Sequence, residues 1–197
     1  VFSRFCSADL AAATAYKSGG KGTDARIFLN GEEDAPFGRL WAHVASGTNS
    51  GKSYQLPRFG KFESENALAC PKAQDKTIVL MQNDNGLSGA GAAQGQVFCY
   101  VGTKQTTGTG PLDIDDAGLT NGLLYGIGVT GFALEDRASP FGGVVKNGSK
   151  PFTLKKLGTG DASGYTSADT QTSADTAGVT RFLRPEDGAW DAAHPAD

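Results

Sequence analysis

Three pairs of short apolar segments constrain the fold of this chain more than any other feature. The pairs begin near Arg26, Lys76 and Gly122, so their starts are separated by 50 and then 46 residues. Short, β-branched or aromatic segments bounded by Gly, Asn and Asp are typical of antiparallel β-hairpins. The paired segments are 26–30 with 39–44, 76–82 with 95–102, and 123–129 with 151–157. We therefore predict an all-β fold.

Glycine supports the same fold class, because 28 of the 197 residues are glycine, about twice the usual fraction. Such a composition favours many tight turns over long helices. The remaining composition is that of an ordinary globular protein, with 39% hydrophobic and 20% charged residues. A chain of this length can bury one good core or two small ones.

A spacing near 50 residues, with two to four strands in each unit, is typical of β-propeller blades. We predict that residues 1–197 form part of one propeller domain with about three to four blades. So few blades cannot close a ring and would leave unpaired edges. We therefore expect a second chain or a missing C-terminal segment to complete the propeller.

Two polar segments are predicted to lack regular structure. Residues 113–118 contain three aspartates but lack the glutamate and the spacing of an EF-hand, so we predict a turn and not a calcium loop. Residues 158–178 consist mainly of Ser, Thr, Asp and Gly with almost no apolar side chain. This composition predicts a flexible surface loop.

Charge and cysteine content exclude several classes of protein. The net charge of −3 gives no basic surface for nucleic acid, and no segment approaches the roughly 20 apolar residues of a membrane span. Cys6, Cys70 and Cys99 show no metal-binding spacing and leave either one disulfide or none. The loops, rich in Thr, Gly, Ser and Asn, fit a secreted or periplasmic protein whose signal peptide preceded Val1.

Near the C-terminus, the segment Arg184-Pro185-Glu186-Asp187 places a guanidinium beside two carboxylates. Proline fixes its own φ and pushes the preceding residue towards an extended conformation, so these charges sit on a stiff backbone. Carboxylates suit Ca²⁺ or Mg²⁺, and a guanidinium suits phosphate. The same segment can also be a solvated turn in which Arg184 pairs with Glu186.

Several motifs, taken in chain order, resemble the PhoX-type alkaline phosphatase family. The resemblance extends over residues 4–191 and is carried by the segments 27–33, 60–67, 76–84, 117–122 and 184–187. It implies a secreted, calcium-dependent β-propeller phosphatase. In that family, iron and calcium ions meet at the end of the central channel.

The resemblance also implies which metal ligands are kept. Gly31-Glu32-Glu33 stands where the family has Cys-Glu-Glu, and the family cysteine binds iron. Ser64-Glu65 stands where the family has His-Glu. The chain thus keeps the carboxylates and loses a thiolate, which is the ligand that selects a redox metal. We therefore expect Ca²⁺, whereas the replacement by Gly31 argues against Fe³⁺.

These observations predict metal-assisted hydrolysis of a small phosphoester, in which bound cations polarise the phosphoryl oxygens and activate water. Arg184 would clamp the phosphate and Glu186 would act beside it. The expected metal ligands are Glu32, Glu33, Glu65, Asp84, Glu186 and Asp187.

Two alternatives remain open: a non-catalytic, calcium-stabilised propeller that acts as a structural or interaction subunit, and a calcium-dependent esterase or lactonase. An enzyme requires these carboxylates to meet in one site, whereas a structural protein allows them to scatter. The expected core residues are Phe28, Leu40, Trp41, Ile78, Leu80, Phe98, Tyr100, Leu124, Ile127 and Phe182.

Overall fold

The computed structural model describes residues 2–34, 37–84, 94–107, 111–135, 149–191 and 193–194. The strands are β1 (Phe5–Asp9), β2 (Lys17–Ser18), β3 (Lys21–Gly22), β4 (Ile27–Glu32), β5 (Leu40–Val44), β6 (Ser53–Gln55), β7 (Ser64–Ala69), β8 (Lys76–Asn83), β9 (Gln96–Thr103), β10 (Leu123–Val129) and β11 (Phe152–Lys156). The helices are α1 (Leu112–Asp116) and α2 (Ser167–Ala177), with 3-10 turns at Ala13–Ala15 and Pro57–Phe59.

Two antiparallel sheets dominate the described residues, so the predicted all-β class is confirmed. One sheet has the strand order β1-β4-β5-β6 and the other has the order β11-β10-β9-β8-β7, while β2 and β3 form a small ribbon. The three predicted hairpin pairings are present: β4 with β5, β8 with β9, and β10 with β11. The connection between β8 and β9 at residues 85–93 lies outside the described residues.

The predicted number of blades is wrong for the part of the chain that the structure describes, which contains two large sheets and not three or four. Strands β9 and β10 also pair with each other, with Tyr100 opposite Leu124. The second and third hairpins therefore belong to one sheet. The 46 residues between the starts of the second and third hairpins are therefore a distance within one meander and not the period of a repeat. The described strands do not close a propeller ring.

One hydrophobic core joins the two sheets, because β1 and β4 of the first sheet pack against β7 of the second. Of the expected core residues, Leu40, Phe98, Tyr100 and Leu124 are fully buried, and the other six are partly exposed. In β4 and β8 the alternate positions face the core instead. The buried residues there are Ile27 and Leu29 in β4, and Val79 and Met81 in β8.

Helix α2 replaces most of the loop predicted for residues 158–178. A capping box begins it: the Asp169 N–H donates to Thr166 Oγ1 (3.2 Å) and the Thr166 N–H donates to Asp169 Oδ2 (2.9 Å). Gly178 ends it in the left-handed conformation, at φ 75°. Only Thr170 and Ala174 are buried. Local caps can thus fix a helix whose composition lacks an apolar stripe.

The other polar segment also differs from its prediction, because residues 112–116 form α1 where a turn was expected. Cys6, Cys70 and Cys99 are all free thiols, which settles the disulfide question that the sequence left open. No helix in the described ranges is long and apolar enough to cross a membrane.

Candidate metal centre

A thiol and two carboxylates converge where the two sheets meet. Cys6 lies in β1, Glu33 directly follows β4, and Glu65 lies in β7. One ligand atom from each of the three residues lies within 4.8 Å of the other two. The Cys6 thiol donates to Glu65 Oε1 at 3.1 Å. Strands β1 and β7, together with the residue after β4, thus bring one soft and two hard ligands close together. We call Cys6, Glu33 and Glu65 the Cys6 cluster.

Local irregularities in two strands produce this convergence. In β1, Phe5 pairs with Glu32 and Ala8 pairs with Asn30, so the residues between them are one more than on the partner strand. In β7, Ser64 pairs with Asn83 and the next pair is Asn66 with Gln82. Cys6 and Glu65 therefore both lie in bulges. Bulges turn side chains away from the regular alternation of a strand and are common beside functional sites.

Gly31 and Ser64, where the resemblance implies a lost cysteine and a lost histidine, are neighbours in space. A Cβ placed on Gly31 would overlap the side chain of Ser64, which is fully buried. Ser64 therefore occupies the volume that a side chain at position 31 would need. Cys6 lies on β1, the strand that pairs with β4.

Arg184 lies beside the Cys6 cluster on a strained backbone. Its φ is +51°, although a residue before proline favours extended conformations. Its guanidinium donates from Nε to Asp84 Oδ1 (2.9 Å) and from Nη2 to Asp84 Oδ2 (2.8 Å), and it meets Glu186 at 3.0 Å. These hydrogen bonds to Asp84 raise the pKa of Arg184. Asp84 is only 5% exposed, so this bidentate contact fixes the guanidinium.

The segment that carries Arg184 is anchored to the second sheet. Phe182 exchanges two backbone hydrogen bonds with Gly95, at 2.7 and 3.1 Å. Pro185 packs so closely on Gly95 that a Cβ on this glycine would overlap its ring. The fixed chain explains how a strained φ at Arg184 persists in an extended segment.

Negative charge accumulates around Glu65. Burial raises the pKa of this carboxyl, and the charges of Glu33, Asp84 and Glu186 raise it further, while the hydrogen bond from Cys6 opposes the shift. The pKa of Cys6 is raised to about 12, first by burial and then by its hydrogen bond to Glu65. A bound cation would relieve both shifts, because it favours the carboxylate and the thiolate.

Glu32 lies in a different environment. It is fully buried, and Arg39 holds both of its carboxylate oxygens, with Nε to Oε2 at 2.7 Å and Nη2 to Oε1 at 2.8 Å. The backbone N–H of Ser3 donates to Oε1 at 2.9 Å. The pairing leaves Glu32 a structural ion-pair partner outside the Cys6 cluster.

The structure therefore divides the residues that the sequence nominated. Glu33, Glu65, Asp84, Arg184 and Glu186 lie together, with Glu33 also meeting Arg4 at 3.0 Å. Asp187 is not part of the Cys6 cluster; it accepts a hydrogen bond from Ser7 Oγ at 2.6 Å.

Cys6 was missed as a candidate site residue, because its place in the cluster depends on strand pairing and not on spacing along the chain. The signal that could have found it is a lone cysteine in a strand that pairs with the Gly31-Glu32-Glu33 segment.

Comparison with known proteins gives one informative match. No family model and no curated protein matches the chain. The chain is similar to the solved structure of Pseudomonas fluorescens PhoX in complex with vanadate, a transition state analogue. The TM-score is 0.52 at 14% identity, over 81% of this chain and 26% of that chain. The fold resembles that of PhoX. At this identity the likeness concerns the fold alone, and the chain spans about a quarter of that protein.

Proposed function

We propose that this chain carries the metal-binding part of a phosphoester hydrolase of the PhoX type. The observation that supports it best is the Cys6 cluster, in which a thiol and two carboxylates lie within 4.8 Å beside a fixed guanidinium. Scattered carboxylates would have favoured a purely structural protein.

The sheet arrangement supports the propeller part of the proposal. Strands β1 and β7 are edge strands of their sheets, and they pack against each other. The innermost strands of neighbouring propeller blades meet in the same way around a central channel. We therefore propose that the two sheets are two adjacent blades. Further chain, or a second protein, would supply the remaining blades.

The donor set fits a metal ion. Glu33 and Glu65 would hold it with the hard oxygens that Ca²⁺ prefers, and the Cys6 thiolate would add the soft ligand that favours iron or another transition metal. Cys6 thus offers a replacement for the thiolate that Gly31 lacks. When bound, such a cation polarises a phosphoryl oxygen and lowers the pKa of a coordinated water.

The residues of the chain would bind and orient the phosphoester. Asp84 holds one edge of the Arg184 guanidinium, and the side chain remains half exposed. Arg184 can therefore present its free donors to the non-bridging oxygens of a phosphate. Glu186 now meets the same guanidinium at 3.0 Å. It would give way to the phosphate and orient a water beside it.

One observation favours the non-catalytic alternative. Arg184 already has two carboxylate partners, Asp84 and Glu186. In this alternative the paired guanidinium anchors the C-terminal segment and binds no phosphate. In that case the Cys6 cluster would bind a structural cation without turnover.

The deciding experiment measures the metal content of the purified protein and its hydrolysis of p-nitrophenyl phosphate, with and without chelator. We expect bound metal and chelator-sensitive turnover. Glu65→Gln and Cys6→Ser should lower the metal content. Arg184→Lys should keep the metal and lose about 100-fold in turnover, because lysine cannot make the bidentate contact.

Asp24→Asn is the matched control, because Asp24 is an exposed carboxylate whose one ion-pair partner within the described ranges is Lys17. It should change neither the metal content nor the turnover. Metal without turnover would favour the structural protein, and hydrolysis of p-nitrophenyl acetate in place of the phosphate would favour an esterase. A folded protein without metal or turnover would overturn the proposal.

A further inference from the structure

A cavity of about 240 Å³ opens between the ends of β1 and β7 and the C-terminal segment. Most of its lining residues are apolar, and one of them, Leu10, is 44% exposed. Two lining residues differ from the rest: Asp9, the last residue of β1, and Trp190. The volume lies below the range of roughly 300–1,000 Å³ that is typical for drug-sized ligands. The cavity therefore suits a smaller molecule.

Asp9 brings a negative charge to this cavity. No hydrogen bond or ion pair reaches its carboxylate from the residues that the structure describes. Burial raises the pKa of Asp9, because a partly buried carboxylate loses water without gaining a partner. A bound cation would supply the missing partner.

Trp190 supplies an aromatic ring to the same cavity. Its indole N–H donates to the Leu68 carbonyl at 3.0 Å, which fixes the ring beside β7. The side chain remains partly exposed. Among aromatic side chains, tryptophan attracts a cation most strongly, and the attraction grows where water is excluded. Asp9 and Trp190 thus both favour a positively charged ligand.

The backbone carbonyls around the cavity are already engaged. Arg26 Nη2 donates to the carbonyls of Leu10 (3.4 Å) and Ala11 (3.0 Å), and Thr14 Oγ1 donates to the carbonyl of Pro71 (2.6 Å). A hard metal ion such as Ca²⁺ takes six to eight oxygen ligands, and a primary ammonium needs acceptors for three N–H groups. The described lining contains one carboxylate, so it satisfies neither of these cations.

We propose that this cavity binds a small quaternary ammonium ion of the choline type. Its charge would pair with Asp9 and lie against Trp190, and its methyl groups would contact Leu10, Leu68 and Pro71. A quaternary ammonium has no N–H group that needs an acceptor, and it presents its charge through an apolar surface. These properties match an apolar cavity that holds one anion and one indole ring.

The cavity and the Cys6 cluster lie at different ends of the same two strands. Asp9 follows Cys6 by three residues in β1, which is about 10 Å along an extended strand. Leu68 follows Glu65 by three residues in β7. A small ion in the cavity would therefore leave the Cys6 cluster free. Its binding requires no catalysis and applies equally if the protein is not an enzyme.

The test is calorimetric titration of the chelator-treated full chain with choline chloride at constant ionic strength. We expect saturable binding at one site. The neutral alcohol in which a carbon atom replaces the choline nitrogen has the same shape, but it has no charge for Asp9 and Trp190. It should bind at least about tenfold more weakly. Ethanolamine should also bind more weakly, because its N–H groups lack acceptors.

Two variants test the residues that carry the site. Asp9→Asn keeps the size of the side chain and removes its charge, and Trp190→Leu removes the aromatic ring. Each should weaken choline binding at least about tenfold. Asp24→Asn removes the same charge from an exposed position and should leave choline binding unchanged.

Trp190→Phe keeps the test decisive if Trp190→Leu loosens the C-terminal segment. Phenylalanine also lacks the indole N–H but keeps an aromatic face, so this variant should bind choline more tightly than Trp190→Leu does. Equal binding of choline and the neutral alcohol would overturn the inference, and so would binding that Asp9→Asn leaves unchanged or no binding at all. None of these readouts depends on bound metal or phosphatase activity, so the proposed function can fail while this site stands.

Discussion

Glu32 and Glu65 are buried glutamates on strands that pack together, yet their pKa values are shifted in opposite directions. Burial alone would raise the pKa of Glu32, but hydrogen bonds from Arg39 and from the Ser3 backbone outweigh it and hold that pKa below its usual value. The pKa of Glu65 is raised by burial and by neighbouring carboxylates. The difference is one of compensation: among the described residues, Arg39 pairs with Glu32, and no cationic side chain pairs with Glu65.

This contrast separates two uses of a buried carboxylate. A charge that is fully paired contributes to the fold and has no capacity left for a ligand. A charge surrounded by others of the same sign is kept only where something else supplies the opposite charge, which is why such groups mark candidate functional sites. Glu32 and Glu65 fall on opposite sides of this division.

The largest expected effect comes from breaking the compensated pair. Glu32→Gln leaves the Arg39 guanidinium without its carboxylate. Because the Arg39 side chain is 27% exposed, we expect a loss at the lower end for a buried pair, about 3 kcal/mol. Urea unfolding of the chelator-treated protein measures it.

Glu33→Gln is the control for that experiment, because it changes the same group one residue later. It should alter the unfolding free energy by no more than about 0.5 kcal/mol. Equal losses of unfolding free energy in the two variants would contradict the distinction between Glu32 as a structural ion-pair partner and Glu33 as a glutamate that can bind a ligand.

A smaller effect is expected at Gly31, which lies against Ser64. Gly31→Ala would place a Cβ against Ser64, and an overpacked core position costs about 2 kcal/mol. Ser64→Gly should relieve the overlap, so the double variant should recover most of the loss. Additive losses in this double-mutant cycle would show that the two side-chain volumes are independent.

The hairpins of this fold could be predicted from the sequence because each is a local unit. Alternation and turn residues identified three of the strand pairs that the structure contains: β4 with β5, β8 with β9, and β10 with β11. The grouping of hairpins into sheets could not be predicted, because the pairing of β9 with β10 depends on long-range packing. The same limit explains the core: periodicity located β4 and β8, but Ile78 and Leu80 fall on the face opposite to Val79 and Met81.

The site was predictable in part for the same reason. The charged motifs at Glu33, Glu65 and Arg184 are legible in the sequence, and the structure brings them together. The separate position of Glu32 depends on Arg39, which pairs with it across a turn. Cys6 became visible only when a bulge in β1 turned it towards Glu65. Such a bulge cannot be predicted from the spacing of residues along the chain.

The smallest and most specific expectation concerns pH. The folded-state pKa of Glu32 is depressed, so its contribution to stability is present above the unfolded value of about 4.3 and is lost as the pH falls through the folded pKa. The folded-state pKa of Glu65 is raised, so its contribution is full below about 4.3 and is lost as the pH rises through the folded pKa. Unfolding free energies of the metal-free parent, Glu32→Gln and Glu65→Gln between about pH 3 and 8 test both signs.

Subtracting the unfolding free energy of each variant from that of the parent cancels the contributions of the carboxylates that both proteins contain. The stability advantage of the parent over Glu32→Gln should shrink towards acid pH, whereas its advantage over Glu65→Gln should shrink towards neutral pH. If both differences moved in the same direction, the two glutamates would share one environment. The uncompensated charge at Glu65 would then no longer support a metal site. The same measurements can be repeated with metal restored. If the pH dependence of the Glu65→Gln difference then disappears while that of Glu32→Gln remains, the raised pKa of Glu65 is due to the absence of a cation.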